Sequence, residues 1–244
     1  MFKLALDAGH GKNTAGKRCD KSLDPKETRE WVLNSRICDK IEDLLKDYEG
    51  YDLWRVDDVT GAKDIPLSTR TANANKFKVD LYLSMHHNAG IKKNGVCGTG
   101  GGVVAFRHPK SGASTKSWET DLYNAIIKYT GLKGNRATPI ATADFQVLRE
   151  TNMDAVLIEA GFMDSKTDVP IILTDDFAAK VAKACVEVIV KKGGLTKKKT
   201  TTQTATTKLY RVQVGSFSKK SGAETLKAKL KADGYDAIIV ETTK

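Results

Sequence analysis

Cysteine is scarce in this chain. Cys19, Cys38, Cys97 and Cys185 are the only four in 244 residues, and none stands in a CxxC pair. So sparse and scattered a set builds no disulfide framework, and free thiols are expected. Long apolar runs are missing as well. None approaches the roughly 18 residues that a spanning helix needs, which excludes an integral membrane protein of helical type. The opening segment MFKLALDAGHGK lacks the charged n-region, long apolar h-region and small-residue cleavage site of a Sec signal. Acidic residues run short only near the end. Residues 191–244 hold 4 Asp+Glu against 13 Lys+Arg, whereas residues 1–190 hold 26 against 27. The net charge of +10 therefore resides almost wholly in the tail. A field of that sign attracts a polyanion: nucleic acid, anionic lipid or an anionic wall polymer.

What is present reads as globular, with 40% hydrophobic and 29% charged residues. Residues 191–208, KKGGLTKKKTTTQTATTK, contain one aliphatic side chain, Leu195, and read as a basic, Thr- and Lys-rich flexible linker. Before the linker, strand and helix patterns alternate. Strands are expected at 2–7, 51–56, 79–85, 103–106, 145–148 and 155–158, and helices at 24–48, 67–77, 117–129 and 177–190. The first helix has a capping-box start, with Asp24 as N-cap, Pro25 at N1 and Glu27 at N3, and an apolar stripe of Leu33, Ile37, Ile41, Leu44 and Tyr48. Such alternation predicts an α/β domain over residues 1–190, a mainly parallel twisted sheet flanked by helices on both faces. After the linker, residues 209–244 read as a small β-α-β module. Its strands contain Tyr210, Val212 and Val214 and then residues 237–240, and Leu226 and Leu230 share one side of its helix. That is too little core to stand alone, so the module is expected to pair, for instance with its own copy.

Open α/β sheets collect ligands at the carboxyl ends of their strands. Those ends are Asp7-Ala8-Gly9-His10-Gly11, His86-His87-Asn88-Ala89 and Glu159-Ala160-Gly161-Phe162. Glu30 is out of place on the apolar stripe of the first helix, where an unpaired carboxylate is costly. A metal shared with His10 and one of His86 or His87 would satisfy it, as would an ion pair with Arg70. The two adjacent histidines face opposite ways on an extended strand, so only one should join His10. Two imidazoles, one carboxylate and an open position make a catalytic zinc site. Each strand-end histidine also has an ordinary structural reading, and Glu159 reads either as a general base or as an ion-pair partner.

DAGHG (7–11), Glu30-Trp-Val-Leu-Asn34, Arg70-Thr-Ala-Asn73-Ala, Ser84-Met-His86-His-Asn88-Ala89 and Val156-Leu-Ile-Glu159-Ala-Gly161-Phe162 resemble, in order and spacing, the zinc-dependent N-acetylmuramoyl-L-alanine amidases often called Amidase_3. The match spans nearly all of residues 1–190. The resemblance implies Zn2+ on His10, Glu30 and His86, with His87 as the variable member of S-x-H-x-N-A. It implies Glu159 as the catalytic carboxylate, and cleavage of the amide between the lactyl group of N-acetylmuramic acid and L-alanine of the stem peptide. Asn88 and Arg70 are expected on the substrate-binding side, shaping the site. The tail resembles half of a sporulation-related (SPOR-like) repeat, which implies wall binding or a homodimer completed by two half-units. The partners implied are peptidoglycan and anionic wall polymers, with no nucleic acid and no membrane insertion. Without a Sec signal, the expectation is synthesis in the cytoplasm and action at the wall after holin release or cell lysis, as endolysin or autolysin. The competing readings are a non-catalytic wall-binding protein and a zinc peptidase acting within the stem peptide.

Overall fold

The structure is a computed structural model that describes residues 1–198 and 213–241. The chain divides into two units, Met1–Lys199 and Thr200–Lys244. In chain order the elements are β1 (Phe2–Ala8), α1 (Glu30–Leu45), β2 (Tyr48–Glu49), β3 (Tyr51–Arg55), α2 (Leu67–Phe77), β4 (Leu81–Asn88), β5 (Val103–Arg107), α3 (Ala113–Thr130), β6 (Ile140–Thr142), α4 (Gln146–Arg149), β7 (Asp154–Phe162), α5 (Val169–Ile172), α6 (Asp175–Gly193), β8 (Thr196–Lys197) and α7 (Lys220–Ala232). Among the described residues no helix is long and apolar enough to cross a membrane, and all four cysteines are free and buried.

Six strands form one sheet in the order β3-β1-β4-β7-β5-β6. Every ladder is parallel except β5 against β7, so the mainly parallel sheet read from the sequence is present. Strand alternation sorts side chains between two cores. Leu4, Leu6 and Ala8 of β1 and Leu81, Leu83 and Met85 of β4 face α1, α3 and α6, where they meet Leu33, Ile37, Ile41, Val181 and Cys185. Ala5, Tyr82 and Leu157 face the other way and pack with Ala74 of α2 and Val147 and Leu148 of α4. Full burial of each large aliphatic side chain contributes about 1.5–3 kcal/mol relative to exposure.

The same alternation turns Asp7, Tyr82 and Ser84 toward α2, where a carboxylate needs a partner. Arg70 supplies it. Its Nη1 donates to Asp7 Oδ1 and to the Ala8 carbonyl at 2.9 Å, and its Nη2 to the His10 carbonyl at 3.0 Å. Tyr82 and Ser84 donate to the second Asp7 oxygen, both at 2.8 Å. Burial works to raise the Asp7 carboxyl, but the Arg70 charge, His86 and the hydrogen bonds from Ser84 and Arg70 together outweigh it and hold the group below its ordinary value of 3.8.

Several expectations are corrected. The first helix starts at Glu30, not Asp24. Asp24 accepts the N–H groups of Lys26 and Thr28 and closes a turn instead. Glu27, at a left-handed φ of 49°, breaks the helical path and pairs with Arg18, so no capping box forms. The stripe ends on buried Leu45 while Leu44 is exposed, and Tyr48 belongs to β2. Residues 145–148 are not a strand: Gln146–Arg149 is one helical turn that buries Val147 and Leu148. The first unit continues past residue 190, because α6 runs to Gly193, Leu195 is buried, and β8 pairs with β2. In the second unit α7 forms, with Leu226 and Leu230 both half-buried. Ala237–Val240 makes no strand ladder among the described residues. Tyr210, Val212 and residues 199–208 of the expected linker lie outside the described residues.

Replacing Asp7 by Asn removes the buried counter-ion of Arg70 and leaves only the half-exposed Asp64, and is expected to lower unfolding free energy by about 3 kcal/mol in chemical denaturation. The pH dependence has a definite sign. A carboxyl depressed in the folded state adds stability that is fully present above the unfolded value of 3.8 and is lost as pH falls through the folded value. The gap between wild type and Asp7→Asn is therefore expected to narrow below about pH 4.

Candidate metal centre

Three neighbouring parallel strands, β1, β4 and β7, deliver the chemistry to one edge of the sheet. His10 follows the end of β1. His86 lies in the last turn of the ladder on β4 and stands beside Glu159 of β7 in direct register. The strands run further than the sequence pattern suggested, so His86 and Glu159 sit inside them rather than beyond their ends. Glu30 opens α1, where the helix N-terminus favours negative charge.

His10 takes a left-handed φ of 68°, uncommon for a residue with a side chain. The Arg70 bonds to the Ala8 and His10 carbonyls hold that conformation on both sides of Gly9. Gly9 is needed for a second reason. A Cβ there would lie 2.0 Å from His86 Cε1, so the His86 ring occupies the space that glycine leaves. The two imidazoles meet edge to face with centroids 4.9 Å apart.

One ligand atom each from His10, Glu30 and His86 lies within 4.8 Å of the others. His86 Nδ1 is 3.0 Å from Glu30 Oε1. His10 Nε2 is 3.3 Å from Glu30 Oε2, yet without hydrogen-bond alignment, and both atoms are buried and unpartnered. Burial would raise the Glu30 carboxyl, but the two imidazoles overcome it and hold the group well below the ordinary carboxylate value. An ionised, 1% exposed carboxylate with an orphaned oxygen, facing an orphaned imidazole nitrogen, fits a divalent cation. The donor set of two imidazoles and one carboxylate is that of catalytic zinc. Burial pushes the Glu159 carboxyl up to about 7, against the opposing pull of His86, and its Oε2 is enclosed without a partner.

The remaining residues separate. His87 is buried away from the cluster with Nδ1 2.8 Å from Asn34 Oδ1, and burial pushes its pKa down to about 3, so it stays neutral. Asn88 ends β4 half-buried, its Oδ1 accepting the Ala89 N–H. Arg70 is a correction: fully buried and bonded to five oxygens, it has no face for substrate and acts as a brace. Asn34 and Lys17 were missed. Asn34 Nδ2 donates to the Gly9 carbonyl at 3.1 Å, so one amide fixes both Gly9 and His87. Its position four residues after Glu30, on the same helix face, was the available signal. Lys17 Nζ lies 3.7 Å from Glu30 Oε2, a contact between the β1–α1 loop and the first residue of α1 that no local pattern announces.

Comparison with known proteins identifies the family and the fold. Residues 4–191 match the family model Amidase_3, described as N-acetylmuramoyl-L-alanine amidase, and residues 206–244 match the SPOR domain model. The chain is 28% identical over 242 residues to a sporulation-specific N-acetylmuramoyl-L-alanine amidase of Bacillus subtilis (strain 168), covering 98% of this chain and 85% of that protein. It is 33% identical over 203 residues to an endolysin of Bacillus phage SPP1, covering 81% and 69%. Among solved structures, an N-acetylmuramoyl-L-alanine amidase from Clostridium difficile 630 superposes with a TM-score of 0.67 at 26% identity, covering 78% of this chain and 95% of that one.

The wild-type chain is expected to retain about one zinc per molecule after exhaustive dialysis, measured by elemental analysis. Gly9→Ala, which displaces the His86 ring, and Glu30→Gln, which removes the charged ligand, are each expected to lose it while circular dichroism stays native. Full retention by both variants would exclude this cluster as the metal site.

Proposed function

The chain belongs to the N-acetylmuramoyl-L-alanine amidase family, and from that premise we propose that it is a peptidoglycan hydrolase in which His10, Glu30 and His86 hold zinc and Glu159 is the general base. The bond cleaved joins the lactyl carbonyl of N-acetylmuramic acid to the nitrogen of L-alanine. The observation that carries the reading is the convergence of two orphaned ligand atoms, His10 Nε2 and Glu30 Oε2, beside an enclosed carboxyl whose pKa lies near neutrality.

A zinc ion at this centre supplies Lewis acidity toward the amide carbonyl and toward water. The protein does the rest. Glu159, fixed one strand from His86, takes a proton from the attacking water as the C–O bond forms. It returns that proton to the alanine nitrogen as the C–N bond breaks. A carboxyl near 7 suits both the acceptance and the return at neutral pH. Arg70 and Asn34 keep the His10 loop in place from below, and Asn88 borders the centre where substrate enters. A complete donor set with its base favours an enzyme over a non-catalytic wall-binding protein.

The second unit and the lysines that lead into it account for attachment to the wall, through peptidoglycan and anionic wall polymers, by the SPOR match and the excess of nine positive charges over residues 191–244. Its helix α7 buries no residue, and Val214, Phe217, Tyr235, Ile238 and Val240 are exposed. A second copy of the unit would cover them, giving a homodimer. Release through a holin or by cell lysis brings such a chain to its substrate.

Digestion of peptidoglycan is expected to free the amine of L-alanine with glycan strands and cross-links intact, by mass spectrometry. New termini inside the stem peptide would instead support the peptidase. Glu159→Ala is expected to keep its zinc and lose about a hundredfold to ten-thousandfold in turnover. Full activity of that variant removes Glu159 as base. Salt should act oppositely on the two roles of the tail, because screening weakens attraction to an anionic wall and relieves repulsion between two basic units. Light scattering is expected to show more dimer of the full chain as salt rises, with residues 1–198 monomeric throughout. Wall sedimentation of the full chain is expected to fall over the same range.

A further inference from the structure

We propose that Arg136 is a substrate-binding residue that pairs with a carboxylate of the stem peptide, at the carboxyl end of β7 beyond Glu159. The inference rests on the amidase reading for the identity of its ligand, but its geometry is independent of the metal cluster. The guanidinium carbon of Arg136 lies 5.3 Å from the centroid of the Phe162 ring. Phe162 ends β7 three residues after Glu159, and it faces Asn88, two residues after His86, in the β4–β7 ladder. Arg136 therefore stands over the strand pair that carries the base and one histidine, on the side where their chains leave the sheet.

Its mount is rigid. Leu132 O accepts the Val103 N–H at 3.0 Å, and Asn135 Oδ1 accepts the Gly101 N–H at 3.1 Å. Gly134 lies so close to Gly101 that a Cβ on it would fall 1.9 Å from the Gly101 carbonyl oxygen. The residues just before Arg136 thus press against the segment leading into β5, Pro139 O after it accepts the Ala105 N–H at 2.8 Å, and the arginine is presented from a base tied down on both sides. Among the described residues the guanidinium has no acidic partner, and it sits over the Phe162 ring. The neighbouring carboxylates are committed to backbone amides. Asp164 Oδ2 takes the N–H groups of Gly90, Ile91 and Lys92, and Asp168 Oδ2 those of Gly102 and Phe162.

An exposed arginine laid on an aromatic face keeps its N–H edge free and its plane fixed. That is the preorganised form of a fork that grips a planar carboxylate by two hydrogen bonds. Stem peptides carry carboxylates on the far side of the scissile amide from the sugar, and bacteria leave some free and amidate others. Arg136 would distinguish the two, since a carboxamide presents no charge.

The test compares a muramyl tripeptide with free carboxylates and the same compound with every carboxylate amidated, using the full metal-loaded chain. Both hydrolysis and equilibrium binding by calorimetry are measured. Wild type is expected to favour the free-carboxylate form. Arg136→Gln is expected to weaken KM and binding for that form by about tenfold to a hundredfold, with kcat and the amidated form little changed. Arg136→Lys should recover part of the loss, and Arg136→Glu should reverse the preference. Equal loss on both compounds, or none on either, overturns the proposal. If wild type hydrolyses neither compound but binds the carboxylate form through Arg136, the amidase reading fails and the inference about Arg136 stands.

Discussion

The site depends on a carboxylate placed where an apolar side chain would ordinarily go. Glu30 occupies the first position of α1, in line with Leu33 and Ile37, and is 1% exposed. The helix N-terminus and two imidazoles keep it ionised, yet one of its oxygens stays without an aligned partner. A buried charge in that condition is tolerated only where something else completes its coordination. The arrangement of β1, β4 and α1 around it follows from that need. Gly9 lacks a side chain so that the His86 ring can reach Glu30, and Asn34, one turn further along the same helix, secures the loop that presents His10.

A second buried charge supports the first. Arg70 is neutralised by Asp7, and its remaining donors hold the carbonyls of Ala8 and His10. The strain of a left-handed histidine is thereby borne by a network on the opposite face of the sheet from α1. The two layers divide the work: the α1 face contributes a ligand and the α2 face fixes the loop. Glu159 makes no bond to either network, and its burial, outweighing the opposing pull of His86 and Lys17, is what leaves its carboxyl near neutrality.

Much of this was legible along the chain. Period-two and period-3.6 patterns located β1, β3, β5, α2 and α6 to within a few residues, because their buried faces repeat locally. The anomaly at Glu30 was visible for the same reason: a charge on an otherwise apolar stripe. The start of α1 was misread because Asp24, Pro25 and Glu27 satisfy a capping pattern that Asp24 in fact spends on its own turn. Val147 and Leu148 looked like strand residues because a four-residue apolar run does not reveal its period. Arg70 was placed toward substrate because its charge was visible and its burial was not.

The sequence by itself determined the alternation of strands and helices, a candidate set of His10, Glu30, Glu159 and one of His86 and His87, and the separation of a neutral first part from a basic tail. These are properties of residue type and spacing, and the family resemblance narrowed the pair to His86. Tertiary structure alone decided which atoms converge, that His87 turns to Asn34, that Arg70 is a brace, and that Arg136 stands over Phe162. Those relations join residues tens of positions apart across a sheet whose strand order is not their chain order, and no local periodicity encodes a contact of that kind.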